Sequence, residues 1–100
     1  MKVLTSGHNY RLSNFEGHGK EQELQFIHKE LKGETLITIA NGTTNEEVIK
    51  VLINRINYLD NKFPCKENKN AVLKLEEALM WLDKRTYDRI ARDVEGQAKA

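Results

Sequence analysis

Apolar side chains recur at helical spacing in the second half of the chain. One stripe consists of Val48, Leu52, Ile56 and Leu59, widened by Ile49, Ile53 and Phe63. Steps of three and four residues place such side chains on one face of a helix. Thr44 followed by Glu47 has the form of a capping box, so the first helix is predicted to begin there and to run to about Lys62.

A second apolar stripe follows a short turn. It consists of Val72, Leu75, Leu79 and Leu82. Pro64 cannot continue the first helix, because its ring clashes with the preceding turn and its nitrogen carries no proton. The second helix is therefore predicted to start between about Lys66 and Ala71 and to end at about Arg92. Two helices joined by so short a turn are expected to pack antiparallel.

Residues 1–42 have a different pattern, which predicts a small antiparallel sheet of two to three strands. The strand-like segments are Val3–Leu4, Tyr10–Leu12, Leu24–His28 and Leu36–Ile39. Lys32-Gly33-Glu34 has the composition of a hairpin turn, and Asn41-Gly42 ends the last strand. The chain is thus predicted to be an α+β protein in which this sheet precedes an antiparallel two-helix hairpin.

One hundred residues suggest a single domain. Within it we assign residues 1–42 to the sheet, 43–95 to the helical hairpin and 96–100 to a frayed tail. So short a chain buries a modest core, and association of several copies is a natural source of further stability.

Charge and cysteine usage narrow the function classes. A net charge of +1 disfavours a protein that clamps duplex nucleic acid. The single cysteine, Cys65, excludes an intramolecular disulfide and suits a reducing compartment. No apolar run approaches the roughly 20 residues of a membrane span, and the N-terminus lacks a signal-peptide pattern, so we expect a soluble intracellular protein without membrane contact.

Three arginines continue the helical steps beyond the second apolar stripe. Arg85, Arg89 and Arg92 fall on or near one face of the predicted helix. Guanidinium groups match phosphate oxygens in shape and charge, so this end of the helix is a candidate anion site. The alternative is a solvated face on which the arginines pair with Asp83, Asp88 and Asp93.

Several other side chains have a structural and a functional interpretation. Tyr58 is either a surface tyrosine or a platform for stacking a purine, and Asn68 could simply cap the second helix. Trp81 could pack in the core, at an interface or on a ligand base. The three histidines do not have metal-ligand spacing, and nothing near Cys65 supports a catalytic role. We therefore predict no metal, no cofactor and no catalytic residue.

The chain resembles the phage-encoded Thoeris anti-defence type 1 family and the related anti-CBASS proteins. The segments that carry the resemblance are Asn41–Val48, Lys62–Asn68, Leu75–Leu82, Arg85-Thr86, Asp88-Arg89 and Val94–Gly96. The resemblance implies a sponge that binds cyclic ADP-ribose isomers, such as glycocyclic ADP-ribose, in the host bacterial cytoplasm without cleaving them. It also implies a homodimer, or a hexamer of three dimers, with ligand pockets between protomers, and it leaves binding of CBASS cyclic di- and trinucleotides open.

The resemblance also implies the residues of the pocket. An aromatic residue of the first helix and an asparagine near the turn correspond to Tyr58 and Asn68. Two arginines of the other protomer correspond to Arg85 and Arg89, and Arg92 extends their row. The family has phenylalanine where Tyr58 stands, but stacking requires only a π face.

Two other functions remain open at this point. A hairpin that docks another protein through Trp81 is one alternative. An enzyme that degrades the nucleotide is the other, although the sequence offers no general base or metal site beside the arginines.

Overall fold

The computed structural model describes residues 1–92, which form five strands followed by two helices. The elements are β1 Lys2–Thr5, β2 Asn9–Leu12, β3 Gln22–Gln25, β4 His28–Lys32, β5 Thr35–Ala40, α1 Asn45–Lys62 and α2 Lys66–Ala91. The predicted α+β class with a two-helix hairpin is confirmed. The predicted tail over 96–100 and the last residues of the predicted hairpin lie outside the described residues. The chain divides into two compact units, Met1–Thr44 and a helical unit that begins at Asn45.

The strands form two sheets, where the sequence pattern predicted one sheet of two to three strands. β1, β2 and β3 pair antiparallel in that order, and β4 pairs antiparallel with β5. The two-residue connection between β4 and β5 contains Gly33, whose φ of 68° lies in the left-handed region that glycine adopts without strain. The predicted hairpin at Lys32-Gly33-Glu34 is therefore confirmed.

The predicted strand Leu24–His28 is divided between the two sheets. β3 ends at Gln25, where backbone groups on either side of Phe26 bond to Thr43. The Thr43 N–H donates to the Gln25 carbonyl and the Ile27 N–H donates to the Thr43 carbonyl, both at 2.9 Å. The Gln25 side chain also donates to the carbonyl of Phe26 at 2.7 Å and to that of His8 at 3.3 Å. Hydrogen bonding to a segment distant in sequence thus replaces the local ladder.

Gly42 permits this crossing, because the backbone passes directly against residues 25 and 26. A Cβ atom at position 42 would lie 2.6 Å from the carbonyl carbon of Phe26 and 2.8 Å from its oxygen. Those contacts are far below van der Waals separation, and the obstacle is backbone that cannot rotate away. Glycine is required here by close approach of two backbone segments.

Replacing Gly42 by alanine should lower the free energy of unfolding by about 1–3 kcal/mol, the range for forcing an extra carbon into a packed site. Chemical denaturation followed by circular dichroism measures this change. Gly17 is the matched control, since a Cβ there meets nothing within 4 Å. We expect Gly17→Ala to change stability by less than about 0.5 kcal/mol. Equal stability of the two variants would contradict the close approach at Gly42.

Both helices have nearly the predicted bounds. α1 begins at Asn45, directly after Thr44, and ends at Lys62. α2 begins at Lys66 and is capped by Cys65, whose Sγ accepts a hydrogen bond from the Asn68 N–H at 3.4 Å. The alternative in which Asn68 caps the helix is therefore wrong. Asn68 lies inside the first turn, where its side chain is available for other contacts.

The described residues bury very little side-chain surface. Among residues 1–92, only Val72 and Arg89 are buried, at 8% and 6% exposure, and no side chain is below 2%. Large apolar side chains of the helical unit remain exposed: Val51, Leu52, Tyr58, Phe63, Leu73, Met80, Trp81, Tyr87 and Ile90. Exposed apolar surface of this extent is typical of a protein that binds another molecule through that surface.

Candidate functional site

The C-terminal end of α2 carries a small cationic groove. Its lining residues are Trp81, Lys84, Arg85, Asp88 and Arg92, and its volume is about 240 Å³. Helical spacing explains the set, because steps of three and four residues from Trp81 lead along one face to Arg92. The lining thus has three cationic side chains and one carboxylate. The groove is therefore suited to a small anion beside an aromatic surface.

The carboxylate in this groove is already engaged. Lys84 Nζ lies 2.9 Å from Asp88 Oδ2, so these two residues, one helical turn apart, form an ion pair. Lys84 thus pairs with one of the acidic groups that the sequence proposed as partners of the arginines. Arg85 remains exposed in the groove.

The predicted arginines are placed differently from one another. Arg85 and Arg92 line the same groove, and Arg92 follows the end of α2 with its N–H donating to the Asp88 carbonyl at 3.1 Å. Arg89 is only 6% exposed, so its side chain is part of the packed structure. Helical periodicity placed all three near one face, but only the tertiary structure separates the exposed guanidinium groups from the buried one.

Trp81 and Lys84 are members of the groove that the sequence did not assign to a site. Trp81 is 58% exposed and stands one turn before Arg85, which is the spacing that could have linked the two. Its apolar character favoured core packing instead. The structure places its ring in the groove, where a planar ligand could stack on it.

Tyr58 lies on α1 in a separate groove. That groove has a volume of about 480 Å³ and is lined by Glu47, Lys50, Val51, Asn54, Arg55 and Tyr58. Tyr58 is 53% exposed, and Lys62 Nζ stands 4.8 Å from the centre of its ring. A cation beside an exposed aromatic face attracts both the π system and the charge of an anionic aromatic ligand.

Asn68 belongs to a polar cluster at the turn between the helices. Asp60 of α1 accepts a hydrogen bond from Lys69 Nζ at 2.8 Å and from the Cys65 N–H at 3.0 Å. Asn68 joins the cluster through its backbone, whose N–H donates to Cys65 Sγ at 3.4 Å. The Lys69 hydrogen bond, and after it that of Cys65, lower the pKa of Asp60 below its ordinary value of 3.8, so the group is ionised at neutral pH.

One protomer does not bring the predicted site residues together. Asn68 lies in the first turn of α2 and Arg85 is 17 residues later, which corresponds to about 25 Å along a helix. Tyr58 has a groove of its own on α1. The predicted site residues therefore lie in three places: the turn region with Asn68, the α1 groove with Tyr58 and the cationic groove with Arg85.

The described part of the chain has neither a metal-ligand cluster nor a membrane-spanning helix. Within residues 1–92, no group of three or more histidine, cysteine, aspartate or glutamate side chains could hold a metal ion. No helix in the same range is both long and apolar enough to cross a bilayer.

Fold and surface together define a class, a small α+β protein whose helical hairpin carries a cationic, aromatic groove. The chain belongs to the family described as "Acb2/Tad1, hairpin domain", which it matches over residues 20–87. It is also similar to the protein "Thoeris anti-defense 1" of Bacillus phage SBSphiJ7, with 55% identity over 58 residues. The matched region is 57% of this chain and 41% of that relative, so the chain spans less than half of the relative's length. The resemblance to the Thoeris anti-defence family is confirmed.

Proposed function

We propose that this protein is a non-catalytic sponge that sequesters cyclic ADP-ribose isomers, glycocyclic ADP-ribose among them, in the cytoplasm of the host bacterium. The relative's name describes an anti-defence protein directed at Thoeris. Holding the signal in a protein pocket would keep it from the effector that it activates. Cyclic di- and trinucleotides of CBASS are further ligands to be tested with the same assay.

The observation that carries the proposal is the groove that contains Arg85 and Trp81. An ADP-ribose isomer has a pyrophosphate and an adenine, and both features have a counterpart in this groove. Arg85 and Arg92 present guanidinium groups to phosphate oxygens, and Trp81 offers an aromatic face.

We propose further that the complete pocket forms between two protomers. About 25 Å of helix separates Asn68 from Arg85, which exceeds what one such ligand spans. A second copy running antiparallel would bring its exposed Arg85 to the Tyr58 and Asn68 of the first. The exposed apolar side chains of the hairpin supply surface for such a contact. The expected assembly is a homodimer, or a hexamer of three dimers.

Sequestration requires binding without a chemical step, and the groove suits that role. Hydrolytic opening of the ring to linear ADP-ribose would need a base or a metal ion beside the ligand. Asp88 is the carboxylate within the groove, and Lys84 holds it in an ion pair at 2.9 Å. The carboxylate among the lining residues of this groove is therefore already engaged in a contact along α2.

The protein should bind a cyclic ADP-ribose isomer tightly and release it unchanged. Calorimetric titration with the two isomers measures affinity and stoichiometry, and chromatography of the ligand freed by heating shows whether it is intact. A pocket repeated by twofold symmetry predicts one ligand per protomer. Linear ADP-ribose that accumulates with time would establish an enzyme, and absence of binding would refute the sponge.

A docking module is the second candidate, favoured by the 58% exposure of Trp81. Trp81→Ala separates the two functions. Loss of a protein partner with unchanged nucleotide affinity would favour the module. Weakened nucleotide affinity would favour the sponge, because Trp81 lines the same groove as Arg85.

A further inference from the structure

Asp88 is the acidic side chain among the described residues that line the groove of Arg85. The other lining residues are Trp81, Lys84, Arg85 and Arg92. Asp88 follows Arg85 by three residues and precedes Arg92 by four, which corresponds to about 4.5 Å and about 6 Å along a helix. Such steps keep the three side chains on one helix face. A ligand phosphate that contacts either arginine therefore lies close to this carboxylate.

The ion pair with Lys84 engages one oxygen of the Asp88 carboxylate. Lys84 Nζ lies 2.9 Å from Asp88 Oδ2, and the two side chains are 59% and 50% exposed. Among residues 1–92, no side chain bonds the other oxygen, Oδ1. A negative charge on the side of Oδ1 is closer to the carboxylate than to the ammonium group, so the pair repels it overall.

We infer that Asp88 is a specificity residue that favours phosphate diesters over nucleotides that end in a terminal phosphate. This inference rests on the proposed function, in which Arg85 and Arg92 contact the phosphates of the ligand. Each phosphate of a pyrophosphate diester carries one negative charge, whereas a terminal phosphate carries about 1.5 to 2 at neutral pH. The additional charge is repelled by Asp88, which lowers the affinity for such a nucleotide.

A sponge for a signal molecule must distinguish the signal from ordinary nucleotides. ADP has the same adenine and pyrophosphate as an ADP-ribose isomer, so contacts of Trp81 and Arg85 with these groups do not separate the two ligands. The ligands differ in the charge at the end of the phosphate chain. Discrimination between ligands that share their attractive contacts requires a group that repels one of them, and Asp88 is such a group.

The experiment compares affinities for ADP and for a cyclic ADP-ribose isomer in the parent protein and in Asp88→Asn. Asparagine keeps the size of the side chain and removes its charge. The variant should bind ADP more tightly than the parent does, and the ratio of ADP affinity to isomer affinity should rise about 2- to 5-fold, the range for exposed charge pairs. Added salt should reduce this difference, because it screens exposed charges. If Asp88→Asn binds ADP no better than the parent, the inference is overturned.

Glu77→Gln is the matched control for Asp88→Asn. Glu77 is also an acidic residue of α2 that pairs with a lysine, Lys74 at 3.8 Å, and its side chain is 58% exposed. It lies outside the groove, about 16 Å along the helix from Asp88. The ratio of the two affinities should stay at the parent's value. A shift as large as that of Asp88→Asn would indicate an effect of overall charge and would overturn the inference.

Lys84→Gln separates repulsion by Asp88 from release of the lysine. Asp88→Asn removes the ion pair, which leaves the Lys84 ammonium group available to a phosphate. If Asp88 repels the ligand directly, Asp88→Asn should still raise the ratio when Lys84 is already glutamine. Loss of the effect in that background would show that Asp88 acts only by holding Lys84, and the direct repulsion would be wrong.

Titration with inorganic phosphate separates this inference from the proposed function. If the parent binds no cyclic ADP-ribose isomer, the sponge is refuted, but phosphate binding can still be followed by the NMR signal of the Arg85 guanidinium group. Asp88→Asn should bind phosphate about 2- to 5-fold more tightly than the parent and Glu77→Gln. Equal affinities, or no response of Arg85 in any of the three proteins, would overturn the role of Asp88.

Discussion

Replacing Arg85 by alanine should weaken binding of a cyclic ADP-ribose isomer by about 10- to 150-fold, with the fold retained. This corresponds to about 1.5–3 kcal/mol, the scale of hydrogen bonds to charged groups. Arg85 is exposed in the groove beside Trp81, so its removal leaves no buried cavity. Calorimetric titration measures the affinity, and a thermal melt of the same sample confirms that the variant is folded.

Lys74→Ala is the matched control for Arg85→Ala. It removes the same charge from the same helix, and the Lys74 side chain is 82% exposed, with a long ion pair to Glu77 at 3.8 Å. Binding should be nearly unchanged, because an exposed ion pair of this kind contributes little. If Arg85→Ala binds as tightly as Lys74→Ala, the assignment of the phosphate site to this groove is wrong.

Arg89 requires a different interpretation of the same experiment. Its 6% exposure means that Arg89→Ala removes a buried side chain together with its interactions. Weaker binding by this variant could therefore arise from a less stable helix as well as from a lost ligand contact. Arg85 is for this reason the decisive position, and Arg89→Ala is informative only with its stability measured.

A mixture of two inactive variants should recover binding if the pocket is shared between protomers. Asn68→Ala and Arg85→Ala each impair both pockets of their own homodimer. After the two are unfolded together and refolded, random pairing makes half of the dimers mixed. Each mixed dimer has one pocket with both residues intact and one with neither, so about a quarter of the parent's high-affinity sites should return.

The control mixture contains Arg85→Ala and the double variant Asn68→Ala/Arg85→Ala. Every pocket in that mixture lacks Arg85, so no high-affinity site should return. Native mass spectrometry shows whether mixed dimers have formed. If they have, and the first mixture still gives no recovery, the pocket lies within one chain and the proposed arrangement of two protomers is wrong.

Local chemistry explains why the helical hairpin could be predicted closely. Pro64 forbids continuation of α1, and apolar steps of three and four residues define both helices. These signals act within a few residues of one another, so their consequence does not depend on the remainder of the fold. The hairpin turn at Gly33 could be predicted for the same reason. The positive φ of that glycine depends on the turn itself and not on distant residues.

The division of the sheet could not be predicted in this way. Whether Gln25–Ile27 extends a strand depends on hydrogen bonds to Thr43, and those bonds require Gly42 to pass against the Phe26 backbone. Hydrogen-bond partners more than fifteen residues apart do not affect the local pattern of apolar and polar residues. The sequence therefore indicated strands over both parts of this segment but not the break between them.

The sequence by itself determined the α+β class, the bounds of the two helices, the family and the row of arginines on α2. Each of these follows from residue type and short-range spacing. Only the tertiary structure decided that Arg85 is exposed while Arg89 is buried, that Trp81 shares the groove of Arg85, and that Asp60 bonds to Cys65 and Lys69. The physical reason is that burial and side-chain partnership depend on neighbours distant in sequence, which helical periodicity cannot specify.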